Sequence, residues 1–148
     1  VVDTPGFFVY ESRELRELYR GLELLRPGPH AILYVIHLHW RFTPEDHDSY
    51  DHFRSILGED ITNYMIVVFT GGDMPRGTIE KLLSRAPESL RQVLSECGNR
   101  YVVFNNKADN KQPQVEQLLK MVRTLVNQNG GGFFKLERND ERGKCSVQ

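Results

Sequence analysis

The sequence predicts an α/β fold, a three-layer sandwich in which helices cover both faces of a mainly parallel sheet. Strand-like apolar runs alternate with amphipathic helical segments along most of the 148 residues. The runs are rich in Val and Ile and apolar on both faces, as in parallel strands that lie buried between helices. Polar residues follow the strands at their carboxyl ends, the edge at which open parallel sheets bind ligands.

The first half of the chain opens on the end of a strand. Val1-Val2 runs into Asp3-Thr4-Pro5-Gly6, the pattern of a buried strand that terminates in a carboxylate. An amphipathic helix of about thirteen residues follows and stops at Pro27-Gly28-Pro29. Residues 30–38 are apolar on both faces, which predicts a central strand. Thr43-Pro44, with two acids after it, predicts the start of a helix.

The second half continues the alternation with a strand, two short helical segments, a strand and a long helix. These elements are expected at residues 64–70, 78–84, 87–97, 101–104 and 112–128. Gly130-Gly131-Gly132 ends the last helix. The domain therefore spans residues 1–134, and the charged, aperiodic tail 135–148 is expected to be flexible.

Composition favours a single domain with a core of its own. Hydrophobic residues make up 39% of the chain, charged residues 26%, and the net charge is −1. This balance gives no reason to expect nucleic acid or an anionic membrane as a partner. The sequence contains no apolar run of membrane-spanning length and no signal peptide. Two cysteines without paired spacing indicate a reducing compartment, so a cytoplasmic location is expected.

The opening Asp-x-x-Gly is a candidate phosphate-side motif. An Asp at a strand end holds Mg²⁺ in one class of phosphoryl-transfer protein, which gives Asp3 the role of a metal-side acid. Gly6 has no Cβ, so the backbone there can approach the last phosphate of a nucleotide. The alternative is an ordinary turn, because Asp, Pro and Gly all favour turns.

Two later strands also end in polar groups. Thr70-Gly71-Gly72-Asp73 follows one strand and Asn105-Asn106 follows the next. Since parallel strands end at a common edge, a nucleotide is expected with its phosphates near Asp3 and its base near these groups. Alternatively, Asp73 is a turn acid without a ligand, because Gly71-Gly72 supplies no basic residue and leaves the loop less constrained. The alternative for Asn105-Asn106 is a plain loop, since Asn tolerates the left-handed conformation.

Several stretches together resemble the immunity-associated GTPases, the GIMAP family. The resemblance covers the chain to about Phe134 in the family's order. The matching stretches are Leu25-Arg26-Pro27-Gly28-Pro29-His30-Ala31-Ile32-Leu33, Arg41-Phe42-Thr43, Phe69-Thr70-Gly71-Gly72-Asp73, Gly77-Thr78-Ile79-Glu80, Cys97-Gly98-Asn99-Arg100-Tyr101, Phe104-Asn105-Asn106 and Asn129-Gly130-Gly131. The stretch His37-Leu38-His39-Trp40-Arg41 departs from the family's usual Leu-Gly-Arg and adds one residue.

The resemblance implies a P-loop NTPase-like GTPase domain related to the septins, with GTP or GDP and Mg²⁺ as ligands. It assigns Asp3 and Gly6 to switch II, with Asp3 holding the metal through water. Thr70 and Asp73 match the guanine-recognition motif, and Asn105 and Asn106 match the last base-side motif. A carboxylate accepts from both N1–H and N2–H of guanine, a donor pair that adenine lacks. The resemblance also implies slow hydrolysis and association into homo- or heterodimers through the G-domain face.

The phosphate-binding half of such a domain has no counterpart in the sequence. No Gly-x-x-x-x-Gly-Lys-[Ser/Thr] occurs, and Gly143-Lys144-Cys145-Ser146 matches only the end of that pattern. Phe7 also follows Gly6, where Ras-type enzymes carry a water-orienting Gln. We therefore expect a domain truncated at its amino terminus, with no catalytic residue assigned and little nucleotide affinity of its own. GTPase activity is expected, if anywhere, in the intact protein.

Two further interpretations stay open at this stage. The chain could be a non-catalytic interaction module, or a degenerate GTPase that binds no nucleotide. A metal site at His37 and His39, with His47 and His52 near by, is conceivable, although no ligand spacing supports it.

Overall fold

The computed structural model describes residues 1–4, 12–39, 41–73 and 78–135, with the side chains of residues 12–14 left undescribed. Five α-helices, three strands and one 3₁₀ helix alternate along this part of the chain. In order they are α1 (Ser12–Leu24), β1 (Ile32–His37), α2 (Pro44–Leu57), the 3₁₀ helix (Glu59–Tyr64), β2 (Met65–Thr70), α3 (Ile79–Ser84), α4 (Glu88–Glu96), β3 (Tyr101–Phe104) and α5 (Gln112–Gln128).

The three strands form a parallel sheet in the order β1-β2-β3, which confirms the predicted α/β class. β2 lies in the middle, and five of its six residues are buried, because helices pack on both sides of it. Thr70 at the end of β2 is in register with His37 of β1 and with Phe104 of β3. The carboxyl ends of all three strands therefore lie at one edge.

The main core fills the space between one sheet face and the helices α1, α2 and α4. Its buried members from the sheet alternate along β2, as the two-residue period of a strand requires. They are joined by buried side chains from the three helices, and the cluster comprises Leu18, Tyr50, Leu57, Ile61, Met65, Val67, Phe69, Leu90, Val93, Leu94, Cys97 and Phe134.

The predicted start of α2 is confirmed in detail. The hydroxyl of Thr43 accepts from the backbone N–H of Asp46, and the carboxylate of Asp46 accepts from the backbone N–H of Thr43. This capping box satisfies two backbone donors that the helix itself leaves free. Pro44 occupies the first turn, where its missing N–H costs nothing.

β1 differs from the central strand that its sequence predicts. It is an edge strand, and Leu33 and Val35 are 42% and 60% exposed. These two residues are in register with Ile66 and Val68, which α5 helps to bury. Within the described residues, however, no element covers the β1 end of that face, so an apolar stretch of β1 is open to solvent.

The strand expected at Val1-Val2 is also absent from residues 1–4, which carry no regular structure. Val1 is fully exposed, and Val2 lies against α1, where its Cγ1 is 3.2 Å from the position of a Cβ on Gly21. Two residues offer too few ladder hydrogen bonds to hold a strand without a paired neighbour. Gly6, Phe7 and residues 136–148 of the expected tail lie outside the described residues.

No helix in the described ranges is both long and apolar enough to cross a membrane.

Candidate functional site

The loops after the three strands meet at the carboxyl edge of the sheet. The backbone N–H of Leu38, after β1, donates to the carbonyl of Thr70 at 2.9 Å. The backbone N–H of Gly72, after β2, donates to the carbonyl of Phe104 at 3.0 Å. The ladder is thus extended beyond the strand ends, and the loops that carry His39, Asp73 and Asn105 are held side by side.

Gly71 and Gly72 make this close approach possible. Gly71 has a φ of +78°, and a Cβ there would lie 2.6 Å from Cδ2 of His39 and 2.9 Å from Cε1 of His37. A Cβ on Gly72 would lie 2.8 Å from Cγ1 of Val103. Any larger residue would push the neighbouring loops apart. The glycine pair therefore does not leave the loop unconstrained, as its composition alone suggests, because it packs against both neighbours.

Asp73 presents a carboxylate between the ammonium group of Lys107 and the imidazole of His39. Its Oδ2 lies 2.5 Å from Nζ of Lys107, and its Oδ1 lies 3.5 Å from Nε2 of His39. The hydrogen bond from Lys107 is the main reason why the pKa of the Asp73 carboxyl is lowered, and the His39 contact lowers it further. The side chain is 21% exposed. Asp73 is thus an ionised acceptor that a ligand can reach.

His37 at the end of β1 and His39 just after it form a tilted pair of rings. Their ring centroids are 5.1 Å apart, and the backbone N–H of His39 donates to Nδ1 of His37 at 3.2 Å. In a neutral His37 the proton therefore sits on Nε2. No cluster of three or more His, Cys, Asp or Glu suited to a metal ion occurs among the described residues. The two imidazole rings instead line one side of the space around Gly71 and Asp73.

The loop between β3 and α5 is fixed by Gln114. The side-chain oxygen of Gln114 accepts from the backbone N–H of Asn105 at 2.8 Å, and its NH₂ group donates to the Asn105 carbonyl at 3.0 Å. The side-chain oxygen of Asn105 then accepts from the backbone N–H of Lys107 at 2.9 Å. These bonds place Lys107 over Asp73 and leave Asn106 exposed beside them.

Of the residues predicted for the base side, four are therefore gathered at one edge: Thr70, Asp73, Asn105 and Asn106. Thr70 is half-buried at the end of β2, and its backbone carbonyl is engaged by Leu38. Asp3 is not part of this group. It is exposed, and it makes no hydrogen bond or ion pair within the described ranges.

Three contributors to the site were not foreseen from the sequence. Lys107 and Gln114 carry no motif of their own in the sequence, and His39 is named there only with a conceivable metal set. The sequence offers one signal for Lys107, which is the absence of a basic residue from the stretch Thr70–Asp73. This absence leaves room for a cation from a neighbouring loop beside Asp73.

Comparison with known proteins shows which family the chain belongs to. A sequence model of the AIG1 family matches residues 1–147. The chain is 39% identical over 141 residues to immune-associated nucleotide-binding protein 9 of Arabidopsis thaliana, which covers 88% of the chain and 41% of that protein. It is 37% identical over 150 residues to immune-associated nucleotide-binding protein 5 of the same plant, covering 95% and 50%.

A human relative is more distant. The chain is 34% identical over 151 residues to GTPase IMAP family member 8 of Homo sapiens, covering 93% of the chain and 22% of that protein. The chain thus spans half or less of the length of these three curated relatives.

Proposed function

The chain belongs to the AIG1 family, and on that premise we propose that it supplies the guanine-binding side of a GTP-binding domain. The observation that carries the proposal is the Asp73 carboxylate, ionised and accessible where three strand ends meet. Guanine offers N1–H and N2–H as adjacent donors, and one carboxylate accepts both. Adenine would leave that carboxylate unpaired, which is strongly unfavourable in a site built around it.

The other base-side residues have supporting roles in this proposal. Asn105 and Asn106 lie next to Asp73 and offer amide groups at the rim of the base site. The NH₂ group of Asn105 makes no hydrogen bond to the described part of the chain, so it is available to a ligand. Thr70, at the end of β2, borders the site where the strand ends.

On the phosphate side the chain contributes little by itself. Mg²⁺ prefers several oxygen ligands and retains water, and Asp3 is an exposed carboxylate that would suit a water-mediated contact. Within the described ranges it belongs to no cluster of three or more His, Cys, Asp or Glu that could hold a metal ion. Bound Mg²⁺ would neutralise phosphate charge, while Asp3 would orient its water shell and Gly6 would admit the last phosphate.

GTP hydrolysis and dimerisation are proposed only for the intact protein. The sequence holds no phosphate-cradling Gly-x-x-x-x-Gly-Lys-[Ser/Thr]. A chain without that loop lacks the backbone donors that supply most of the affinity for phosphates. We propose that such a loop acts together with this chain, in the cytoplasm, as a nucleotide-dependent switch or scaffold.

One observation favours an interaction module as the second candidate. Leu33 and Val35 expose apolar side chains on the uncovered end of the sheet. A module that has lost nucleotide binding would use such a surface to contact another protein.

Nucleotide binding tests the proposal. Fluorescent GDP and GTP are titrated with Mg²⁺ into the 148-residue chain and into the full-length protein that contains it, with ATP as the control ligand. Asp73→Asn is compared with Asp109→Asn, which changes an exposed acid on the neighbouring loop. We expect binding to guanine nucleotides in the full-length protein, at least a tenfold loss in Asp73→Asn, and no loss in Asp109→Asn. Absence of binding by the full-length protein would leave the interaction module.

A further inference from the structure

We propose that Lys107 is a positioning residue for guanine recognition, because it holds the Asp73 carboxylate from the adjacent loop and replaces the basic residue that Thr70–Asp73 lacks. This inference rests on the proposed function and adds a specificity-determining side chain to it. In this proposal Lys107 orients Asp73 and does not itself contact the guanine base.

The geometry of the loop supports this assignment. Nζ of Lys107 reaches Oδ2 of Asp73 although the two residues follow different strands. The backbone of Lys107 is tied to Asn105, and Asn105 is tied to Gln114 at the start of α5. The backbone of Lys107 is therefore held in place, and its side chain extends across the gap between the two loops.

The contact leaves the carboxylate able to bind guanine. An ionised carboxylate has about four acceptor positions, two on each oxygen. Lys107 uses one position on Oδ2, and His39 approaches one position on Oδ1. The carboxylate also accepts a backbone hydrogen bond, and the 21% exposure of its side chain gives a base access to it.

Among the side chains that the structure describes, no second permanently charged cation faces Asp73. The charged or titratable side chains that face Asp73 within the described residues are Lys107 and His39. Gly71 and Gly72 carry no side chain, and the ring of His37 lies beside that of His39. Loss of Lys107 therefore removes the shorter of these two side-chain contacts of the Asp73 carboxylate and leaves the longer one, from His39.

The effect is expected to be modest, because the Lys107 side chain is 79% exposed. Ion pairs at that exposure change an equilibrium by about two- to fivefold. Lys107→Met in the full-length protein should weaken GDP binding by that factor. Lys107→Arg should restore most of it, because a guanidinium supplies the same charge. Lys111→Met is the matched control, since Lys111 is exposed near the same loop and has no ion pair among the described residues.

A double-mutant cycle separates positioning from a structural role. Asp73→Asn is combined with Lys107→Met and assayed with xanthosine diphosphate, whose C2 oxygen suits an amide donor in place of a carboxylate. If Lys107 acts through the carboxylate, Lys107→Met has no effect in the Asp73→Asn background. An equal loss in both backgrounds overturns the proposal, as does unchanged or tighter GDP binding by Lys107→Met.

A measurement without nucleotide distinguishes this proposal from the proposed function. Carbon-detected NMR titration of the Asp73 carboxyl should show a higher pKa in Lys107→Met than in the parent and in Lys111→Met. An unchanged pKa overturns the ion pair itself. If the pKa moves as expected but the full-length parent binds no GDP, the proposed function has failed, and the role assigned to Lys107 in recognition fails with it. If the parent binds GDP and only the Lys107 effect is missing, the proposed function stands alone.

Discussion

Replacing Gly71 by Ala should destabilise the protein more than the same replacement at Gly130. Both residues have positive φ, +78° and +63°. An L residue in this region costs about 1–2 kcal/mol at either position. The two sites differ in their surroundings. No atom lies within 4 Å of a Cβ added to Gly130, whereas at Gly71 the new Cβ would lie 2.6 Å from Cδ2 of His39.

The magnitude follows from three contributions. Alanine restricts the unfolded chain, which offsets about 0.4–1 kcal/mol of the backbone cost at both sites. Gly130→Ala should therefore lower the free energy of unfolding by about 0.5–1 kcal/mol. At Gly71 the crowding of two imidazoles adds about 1–3 kcal/mol. His39 is 45% exposed and can rotate outward, so the added cost should lie toward the lower end of that range.

Urea unfolding followed by far-ultraviolet circular dichroism measures both losses, with equal m-values as the test of a common mechanism. NMR of the His39 ring reports whether it has left Gly71, and Asp73 should lose its His39 contact in the same variant. Guanine affinity of the full-length protein should fall in Gly71→Ala and stay unchanged in Gly130→Ala. Equal destabilisation of the two variants, with unchanged His39 resonances, would refute the packing argument.

Four further predictions follow from the same structure. Thr43→Ala removes the cap of α2 and should cost about 1 kcal/mol in urea unfolding. Tyr50→Phe removes the hydroxyl that donates to Glu96 at 2.9 Å; because Glu96 keeps its ion pair with Arg54, the loss should be about 1 kcal/mol, measured in the same way. The pKa of the Asp73 carboxyl is lowered in the folded state, mainly by the hydrogen bond from Lys107. The contacts of the ionised carboxylate therefore stabilise the protein at any pH above the ordinary Asp pKa of about 4, and this stability is lost as the pH falls through the lower pKa of the folded state. Acid unfolding should therefore be less steep in Asp73→Asn. Val35→Lys should reduce light scattering by the 148-residue chain, whose Val35 is 60% exposed, and should destabilise the full-length protein if another segment covers this face there.

Elements with local signals were predicted well from the sequence. The bounds of β3 and α5 agree with expectation, because each has its own periodicity and an adjacent stop signal. The start of α2 was predicted from Thr43, Pro44 and the two acids after them, since helix-capping signals lie between neighbours in sequence. The 3₁₀ helix at Glu59–Tyr64 was missed, because a single tight turn leaves too short a pattern to recognise.

Features that depend on distant partners were predicted less well. The hydrophobic pattern of β1 correctly describes an apolar strand, but burial of Leu33 and Val35 requires a covering element that the strand's own sequence cannot specify. The grouping of Thr70, Asp73 and Asn105 was predictable, because parallel strands bring their carboxyl ends together whatever the loops contain. The partner of Asp73 was not, because Lys107 meets it only through the loop geometry that Gln114 fixes.

The two halves of the proposed nucleotide site therefore differ in how far this chain builds them. On the base side, strand register, two glycines and Gln114 hold Asp73, Lys107 and His39 in place before any ligand arrives, so little ordering is left to oppose binding. On the phosphate side, Asp3 stands exposed and without partners within the described ranges, and phosphate affinity depends on backbone donors that this sequence does not contain. The chain alone should thus discriminate between bases better than it retains a nucleotide. The ratio of guanine to adenine affinity, rather than the affinity itself, is the quantity that its own structure determines.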